Sequence, residues 1–283
     1  MDITLDSCSA PIIYWCPECG KRYCTDDYHD DDYCVNCGYN GGDGWDLSPS
    51  ITGNGSKVLV IEPKVELLTP VTHLVDYEKL IEQAGRTCYA SGDKITADSA
   101  GKFIDRIIRS GHHSVIEHCS ISYRFILSRA ASHQAVRHRL TAVSQESMRY
   151  CDFSREKMLE DGKFKIIVPP TISADPLKMQ KFLISATRSY EDYIDLRNSG
   201  IPPEDARFVL PHCSKTELVM TANIREWRHI IEERGLNPHA QWEIRQLMKD
   251  VLYELNHYLP NCFKDLVVKL TEQKENTNET KKS

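Results

Sequence analysis

The 283-residue chain holds no stretch approaching about eighteen uninterrupted apolar residues, so a membrane-spanning helix is not expected. Residues 1–6 have neither a basic nor an apolar leader character, and the reading is a soluble, cytoplasmic protein with no membrane partner. Positive charge is in deficit. Lys and Arg total 35 against 41 Asp and Glu, a net of −6, which argues against a chain given over to nucleic acid. Glycine (14) and proline (13) are too few for a collagen-like or low-complexity chain, while 41% hydrophobic and 27% charged residues are ordinary for a globular one. No glycine-rich dinucleotide fingerprint follows a predicted strand and no phosphate-binding loop is present, so any nucleotide must be gripped in another way. The zinc-deaminase pairing of His-x-Glu with Pro-Cys-x-x-Cys is missing too.

What is present is unevenly spread. Residues 1–56 carry only Lys21 and Arg22 against ten acids, and six of the eleven cysteines fall within the first 37 positions. Cys16-Pro17-Glu18-Cys19-Gly20 and Cys34-Val35-Asn36-Cys37-Gly38 form two knuckles that together offer four thiolates to one tetrahedral ion. Residues 12–40 resemble a zinc ribbon, with Cys16, Cys19, Cys34 and Cys37 as the metal ligands of a structural site. Zinc suits this closed cage best, and iron accepts the same geometry. Cys8 and Cys24 lie outside the pair, leaving open a ligand exchange, a mutual pairing or no role at all. Asp26, Asp27, Asp30, Asp31 and Asp32 between the knuckles would repel phosphate, so a role in protein docking or capping is preferred over nucleic acid. The expected organisation is a ribbon over 1–40, a glycine-rich linker over 41–56, a body over 57–270 and a polar, frayed tail over 271–283.

In the body, 57–61 reads as a short strand, and a helix follows Asp76 with Leu80, Ile81 and Ala84 apolar. Asp98 is placed to cap a helix with Phe103, Ile104, Ile107 and Ile108 on one face, ending at Gly111. Ile121, Tyr123, Phe125 and Leu127 alternate with period two, as a strand requires. Ser128 then caps a helical segment over 129–139. Asp175-Pro176 opens a long helix that stops at Gly200, and further helices are expected over 214–234 and 239–259. Few strands and several long helices give an α+β fold. Cys88, Cys119, Cys151, Cys213 and Cys262 share no context and read as small buried hydrophobes.

One stretch, 134–150, is denser in polar function than a fold needs. On a helix, Gln134, Arg137 and His138 share a face, and the hydroxyls and arginine that follow suit a cradle for phosphate and a polar ring. Arg137-His138-Arg139, seven residues and then Ser147 resembles the signature of the flavin-dependent thymidylate synthases, with Arg149-Tyr150 continuing it. The resemblance extends over about 65–265 through the 111–118 segment, Ala206-Arg207-Phe208-Val209-Leu210-Pro211, Asn223-Ile224-Arg225, Arg234 and His239-Ala240-Gln241-Trp242-Glu243. Gln145 stands where some members carry glutamate, and His229 where some carry asparagine.

The resemblance implies a body with several long helices and a mainly antiparallel sheet, assembled as a homotetramer. It implies formation of dTMP from dUMP, with methylenetetrahydrofolate as one-carbon donor, NADPH as reductant and FAD as cofactor, and without a cysteine nucleophile. Carried over residue by residue, the substrate-binding set is Gln134, Arg137, Gln145, Glu146, Ser147, Met148, Arg149, Arg207 and Arg234. The flavin set is His112, Ser114, Arg137, His138, Arg139, Asn223, Arg225 and His229. Arg234 and Ser147 are the catalytic candidates. A guanidinium stays charged at any working pH and can hold negative charge on a pyrimidine. Ser147 has no adjacent base and carboxylate to make it a nucleophile, so a substrate-holding hydroxyl is preferred. The rival reading is a catalytically degenerate, zinc-anchored scaffold that binds nucleotide or protein.

Overall fold

The computed structural model of the chain describes residues 13–15, 22–24 and 57–280. Strands β1 (Ile13–Trp15) and β2 (Arg22–Cys24) pair antiparallel. The body begins with β3 (Val58–Val60), β4 (Lys64–Leu67), α1 (Val71–Thr87) and α2 (Ser99–Arg109). A 3-10 turn, His113–His118, leads to β5 (Ser120–Ser128), α3 (Arg129–Ala135), β6 (Ala142–Gln145) and β7 (Phe164–Ile166). Then come α4 (Pro170–Ser173), α5 (Pro176–Asn198), α6 (Pro203–Ala206) and β8 (Lys215–Asn223). The chain continues through α7 (Ile224–Ile230), a π-helical turn (Ile231–Leu236), α8 (Trp242–Tyr258) and α9 (Pro260–Thr280). None of the helices in the described residues is long and apolar enough to cross a membrane.

The main sheet has the order β4-β5-β8-β6 and is antiparallel throughout. As the alternation predicts, Ile121, Tyr123, Phe125 and Leu127 are buried on one face of β5. Leu218, Met220 and Ala222 of β8 join them under α1, α2, α7, α8 and α9. Trp227 of α7 locks this layer. Its indole N–H donates to the Ile121 carbonyl at 2.9 Å, and its ring meets Tyr123 edge-on at 5.3 Å. The opposite sheet face is polar, with Ser122 bonded to Thr221 at 2.7 Å and Arg124 set between Glu66 and Glu217. The short parallel pair β3-β7 forms a second core with α5, where Phe164 stacks on Tyr190 at 4.8 Å.

Several expectations hold closely. Asp175 accepts from the Leu177 and Lys178 amides at the start of α5, and α8 buries Ile244, Leu247, Met248, Val251, Leu252 and Leu255. Gly111 and Gly200, with φ of +71° and +87°, follow α2 and α5 as stops. Others are corrected. Residues 215–223 are a strand and not the first half of a helix. Thr216, Leu218, Met220 and Ala222 alternate inward, and the pairing with β5 outweighs a composition that suits a helix equally well. Asp98 makes no side-chain cap; Ser99 instead accepts from the Thr96 amide and donates to Glu82, each at 2.8 Å. Leu80 is exposed on α1, and Cys88 is exposed rather than buried. α9 runs from Pro260 to Thr280, with Cys262, Phe263, Leu266 and Leu270 seated in the core.

A buried polar knot ties the residues after Tyr150 to α5. Asp152 receives both Arg197 nitrogens (3.1 and 2.8 Å), the Tyr193 hydroxyl at 3.1 Å and Ser154 at 2.7 Å. These donors, the Arg197 guanidinium first, hold the Asp152 carboxyl far below its ordinary 3.8. A depressed carboxylate contributes its full stability above the unfolded value of 3.8 and loses it as pH falls toward the folded one. Asp152→Ala should therefore cost about 3–5 kcal/mol in urea melts near neutral pH, as expected when one partner of a buried pair is removed. The difference from the parent should shrink as melts are repeated progressively below pH 4. A constant difference across that range would contradict the assignment.

Candidate active site

The 134–150 motif is placed by the strand before it and the ladder after it. Ser128 ends β5 and caps α3, its hydroxyl accepting from the Ala131 amide at 3.1 Å. The Ser128 amide and hydroxyl both donate to buried Glu243 at 2.6 Å, which fastens the start of α3 to the first turn of α8. α3 stops at Ala135, three residues short of His138, so the α-helical face expected for Gln134, Arg137 and His138 does not form. The chain tightens instead. Arg137 and His138 amides donate to the carbonyls of Gln134 and Ala135, three residues back. With 3-10 winding, residues three apart eclipse one another. Ala135 and His138 are both buried, while Arg137 and Arg139 on either side point to solvent.

His138 meets the other half of the site inside this turn. Its Nε2 accepts from Arg234 Nε at 3.1 Å, its Nδ1 lies 3.9 Å from Glu226 Oε1, and its ring stands edge-on to His229 at 5.8 Å. Burial first, and then the neighbouring Arg234 and His229, together lower the His138 pKa to about 4. The imidazole is neutral at physiological pH. Expected in the flavin set, His138 is turned inward toward Arg234. Arg234 projects from the π-helical turn, a form of winding that concentrates at functional sites.

Strand β6 then carries the chain away, pairing Ala142 with Thr221 and Gln145 with Leu218. Four residues of strand span roughly 13 Å, so the motif's second half lies well apart from His138. There Glu146 receives Lys215 Nζ at 2.9 Å, and Gln145 donates to Thr216 at 3.3 Å. Gln145, Glu146, Arg124, Ser144 and Glu217 line an open cavity of about 330 Å³. The Ser147 hydroxyl accepts from the Arg149 amide at 3.3 Å, and Met148 is buried in the second core. Arg149 is exposed and paired with Glu204 at 2.9 Å, and Arg207 Nε donates to the Glu204 carbonyl at 2.9 Å. Arg129, pushed down by burial and by Arg207, adds a further cation that the motif reading missed.

The remaining flavin candidates gather at the other end. Asn223 caps α7 through its side-chain oxygen, which accepts from the Glu226 amide at 2.9 Å and leaves its NH₂ available. Arg225 pairs with Glu117 at 2.5 Å, and His112, Ser114 and His229 are exposed. Arg137 and Arg139 are exposed with no ion pair among the described residues. Such a set suits an anionic cofactor, because exposed ion pairs are worth only about 0–1 kcal/mol and a bound phosphate can replace their carboxylates. Glu226, Glu204, Lys215 and Glu243 were not anticipated as site builders, since nothing in local spacing links them to the motif. Cys16, Cys19, Cys34 and Cys37 lie outside the described residues.

With this geometry in view, residues 71–261 match the family model described as thymidylate synthase complementing protein. A flavin-dependent thymidylate synthase of Geobacter sulfurreducens is 38% identical over 200 residues, covering 68% of this chain and 83% of that one. The corresponding protein of Pyrococcus furiosus is 32% identical over 182 residues, covering 64% and 72%. Among solved structures, the fold is shared with a UMP/dUMP methylase, PolB, from Streptomyces cacaoi bound with 5-Br dUMP (TM-score 0.61, 24% identity, 75% of this chain and 97% of that one). It is shared also with thymidylate synthase X from Helicobacter pylori with FAD and dUMP (TM-score 0.58, 23% identity, 74% and 99%). Strands β5, β6 and β8, the motif turn and the Arg234 segment lie within the matched span, and the chain belongs to the thymidylate synthase complementing protein family.

Proposed function

We propose that the chain is a flavin-dependent thymidylate synthase, forming dTMP from dUMP with methylenetetrahydrofolate and NADPH as co-substrates. The observation that carries this reading is the Arg234 guanidinium, held through Nε by a neutral His138 at 3.1 Å. Carbon 5 of uracil is a weak nucleophile, and it attacks only as negative charge gathers toward N3 and O4. A fixed guanidinium stabilises that charge more in the transition state than in the ground state. Neutral His138 orients it without adding a competing charge.

Arg149 and Arg207, with Arg129 behind them, form the cationic end that takes the nucleotide phosphate, and the Ser147 hydroxyl holds the substrate. Gln134, Gln145 and Glu146 supply the further polar contacts. Bound FAD would relay the reducing equivalents of NADPH to the one-carbon unit. Arg137, Arg139, Arg225, Asn223, His112, Ser114 and His229 are the groups that would hold it. Among the described cysteines, burial pushes the Cys119 and Cys213 thiols up to about 11 and Cys262 is sealed in the core, so these three are unsuited to nucleophilic attack. Leu140, Tyr150 and Phe208, each about four-fifths exposed beside the motif, support a homotetramer that covers them.

For the N-terminal segment we assign a structural zinc site with Cys16, Cys19, Cys34 and Cys37 as ligands. Support comes from the β1-β2 pair, whose connection carries Cys16 and Cys19 as the first knuckle of a ribbon. Removing residues 1–56 should release the bound metal, read by elemental analysis, with turnover and the tetramer largely unchanged. Collapse of either would place the ribbon within the catalytic assembly.

The function is tested by an anaerobic assay of dUMP with methylenetetrahydrofolate, FAD and NADPH; absence of dTMP would leave the binding-scaffold reading. In the same assay Arg234→Ala should lower kcat by about 10²- to 10³-fold, as loss of one transition-state donor does, with bound flavin per chain retained. Near-normal turnover in that variant would remove Arg234 from its role.

A further inference from the structure

The hydrogen bond between Arg234 and His138 determines where the imidazole carries its proton. An arginine Nε donates and has no lone pair to accept with, so His138 Nε2 must present its own lone pair. The hydrogen of the neutral ring is then on Nδ1, and the nearest acidic oxygen to Nδ1 is Glu226 Oε1 at 3.9 Å. Glu226 is only 6% exposed, and among the described residues its carboxyl makes no side-chain hydrogen bond and no ion pair besides this contact.

The backbone explains how both partners reach one ring. Glu226 and Arg234 are eight positions apart on a single continuous helical segment. In an α-helix that spacing leaves side chains about 80° apart. The π-helical turn Ile231–Leu236 widens the winding and brings Arg234 back over the face that carries Glu226, so the two enclose His138 between them. Burial raises the Glu226 carboxyl, and in either protonation state the group keeps an oxygen able to accept.

We propose that Glu226 is a positioning residue of this site: it fixes the Nδ1–H tautomer of His138 and, through that ring, the orientation of the Arg234 guanidinium. The inference rests on the reading of Arg234 as the pyrimidine-facing group. Second-layer partners of this kind set ring orientation wherever a histidine must present one particular nitrogen. Misplacing the guanidinium by a fraction of a side-chain length is enough to cost rate.

The test uses the full-length, flavin-loaded protein. In ¹⁵N spectra of histidine-labelled wild type, the His138 signal, identified by its loss in H138Q, should report a neutral ring with the hydrogen on Nδ1. Glu226→Leu removes the acceptor, and Glu226→Asp withdraws it by one methylene while keeping the charge. Both should lower kcat by about tenfold or more with flavin content unchanged, and E226L should shift His138 toward the Nε2–H form. Glu226→Gln, which keeps an acceptor oxygen, should recover most of the rate. A wild-type ring protonated on Nε2, or E226L and E226D with wild-type kcat, would overturn the proposal. If the wild type forms no dTMP, the proposed function fails, while the tautomer of wild type and E226L still decides the role of Glu226.

Discussion

Nine consecutive residue pairs join β5 to β8, from Ser120 opposite Asn223 to Ser128 opposite Lys215, and the site depends on that ladder. Each strand runs straight into a helix. Ser128 caps α3 at one end of the ladder and Asn223 caps α7 at the other, about 27 Å away along the strands. One helix delivers the motif turn and the other delivers Glu226, His229 and Arg234. Their meeting at His138 is therefore fixed by strand register, and a slip of one residue would turn both caps to the wrong face. Glu243 reinforces the arrangement by taking both donors of Ser128 into the first turn of α8.

Much of this was legible in the sequence where a single period dominates. The alternation of β5, the caps and glycine stops of α5, and the apolar stripe of α8 each follow from local spacing. β8 was not legible, because its burial alternates only by virtue of β5 beside it, and Lys215 and Thr216 are both buried at its start. α9 was missed for a related reason: its inward residues are spaced correctly but diluted by Lys264, Asp265 and Lys269, whose charges pair with neighbouring elements. For the site, the motif named the arginines and His138, yet the carboxylates that organise them come from distant segments. Glu226 and Glu204 acquire meaning only once α7 and α6 are placed against the motif.

The charges of the site fall into two kinds. Lys215, Glu146, Glu217 and Arg124 form a chain of contacts across the polar face of the sheet, each with its partner supplied by the protein. Such a chain holds β6 against β8. Among the described residues Arg137 and Arg139 are exposed without ion pairs, and Arg149 and Arg225 hold only exposed partners. An anion is consequently drawn not to the first group, whose cations are already paired with Glu146 and Glu217, but to the second. An anion arriving there gains charge-assisted hydrogen bonds while giving up surface pairs of small worth.

The fate of the three motif residues shows how the chain separates these tasks. In a continuous α-helix, Arg137, His138 and Arg139 would sit about 100° apart in sequence, and His138 would face the same way as Gln134. By ending α3 at Ala135 and tightening to three-residue hydrogen bonds, the chain stacks His138 under Ala135. The Thr141 hydroxyl then donates to the His138 carbonyl at 2.5 Å and closes the turn before β6 begins. Two cations are left outside for ligands and one neutral ring is driven inside, toward Glu226 and Arg234. Burial keeps that ring uncharged, and an uncharged ring is the form able to accept from a guanidinium. The turn thus converts three adjacent basic letters into a binding surface and an internal support for Arg234.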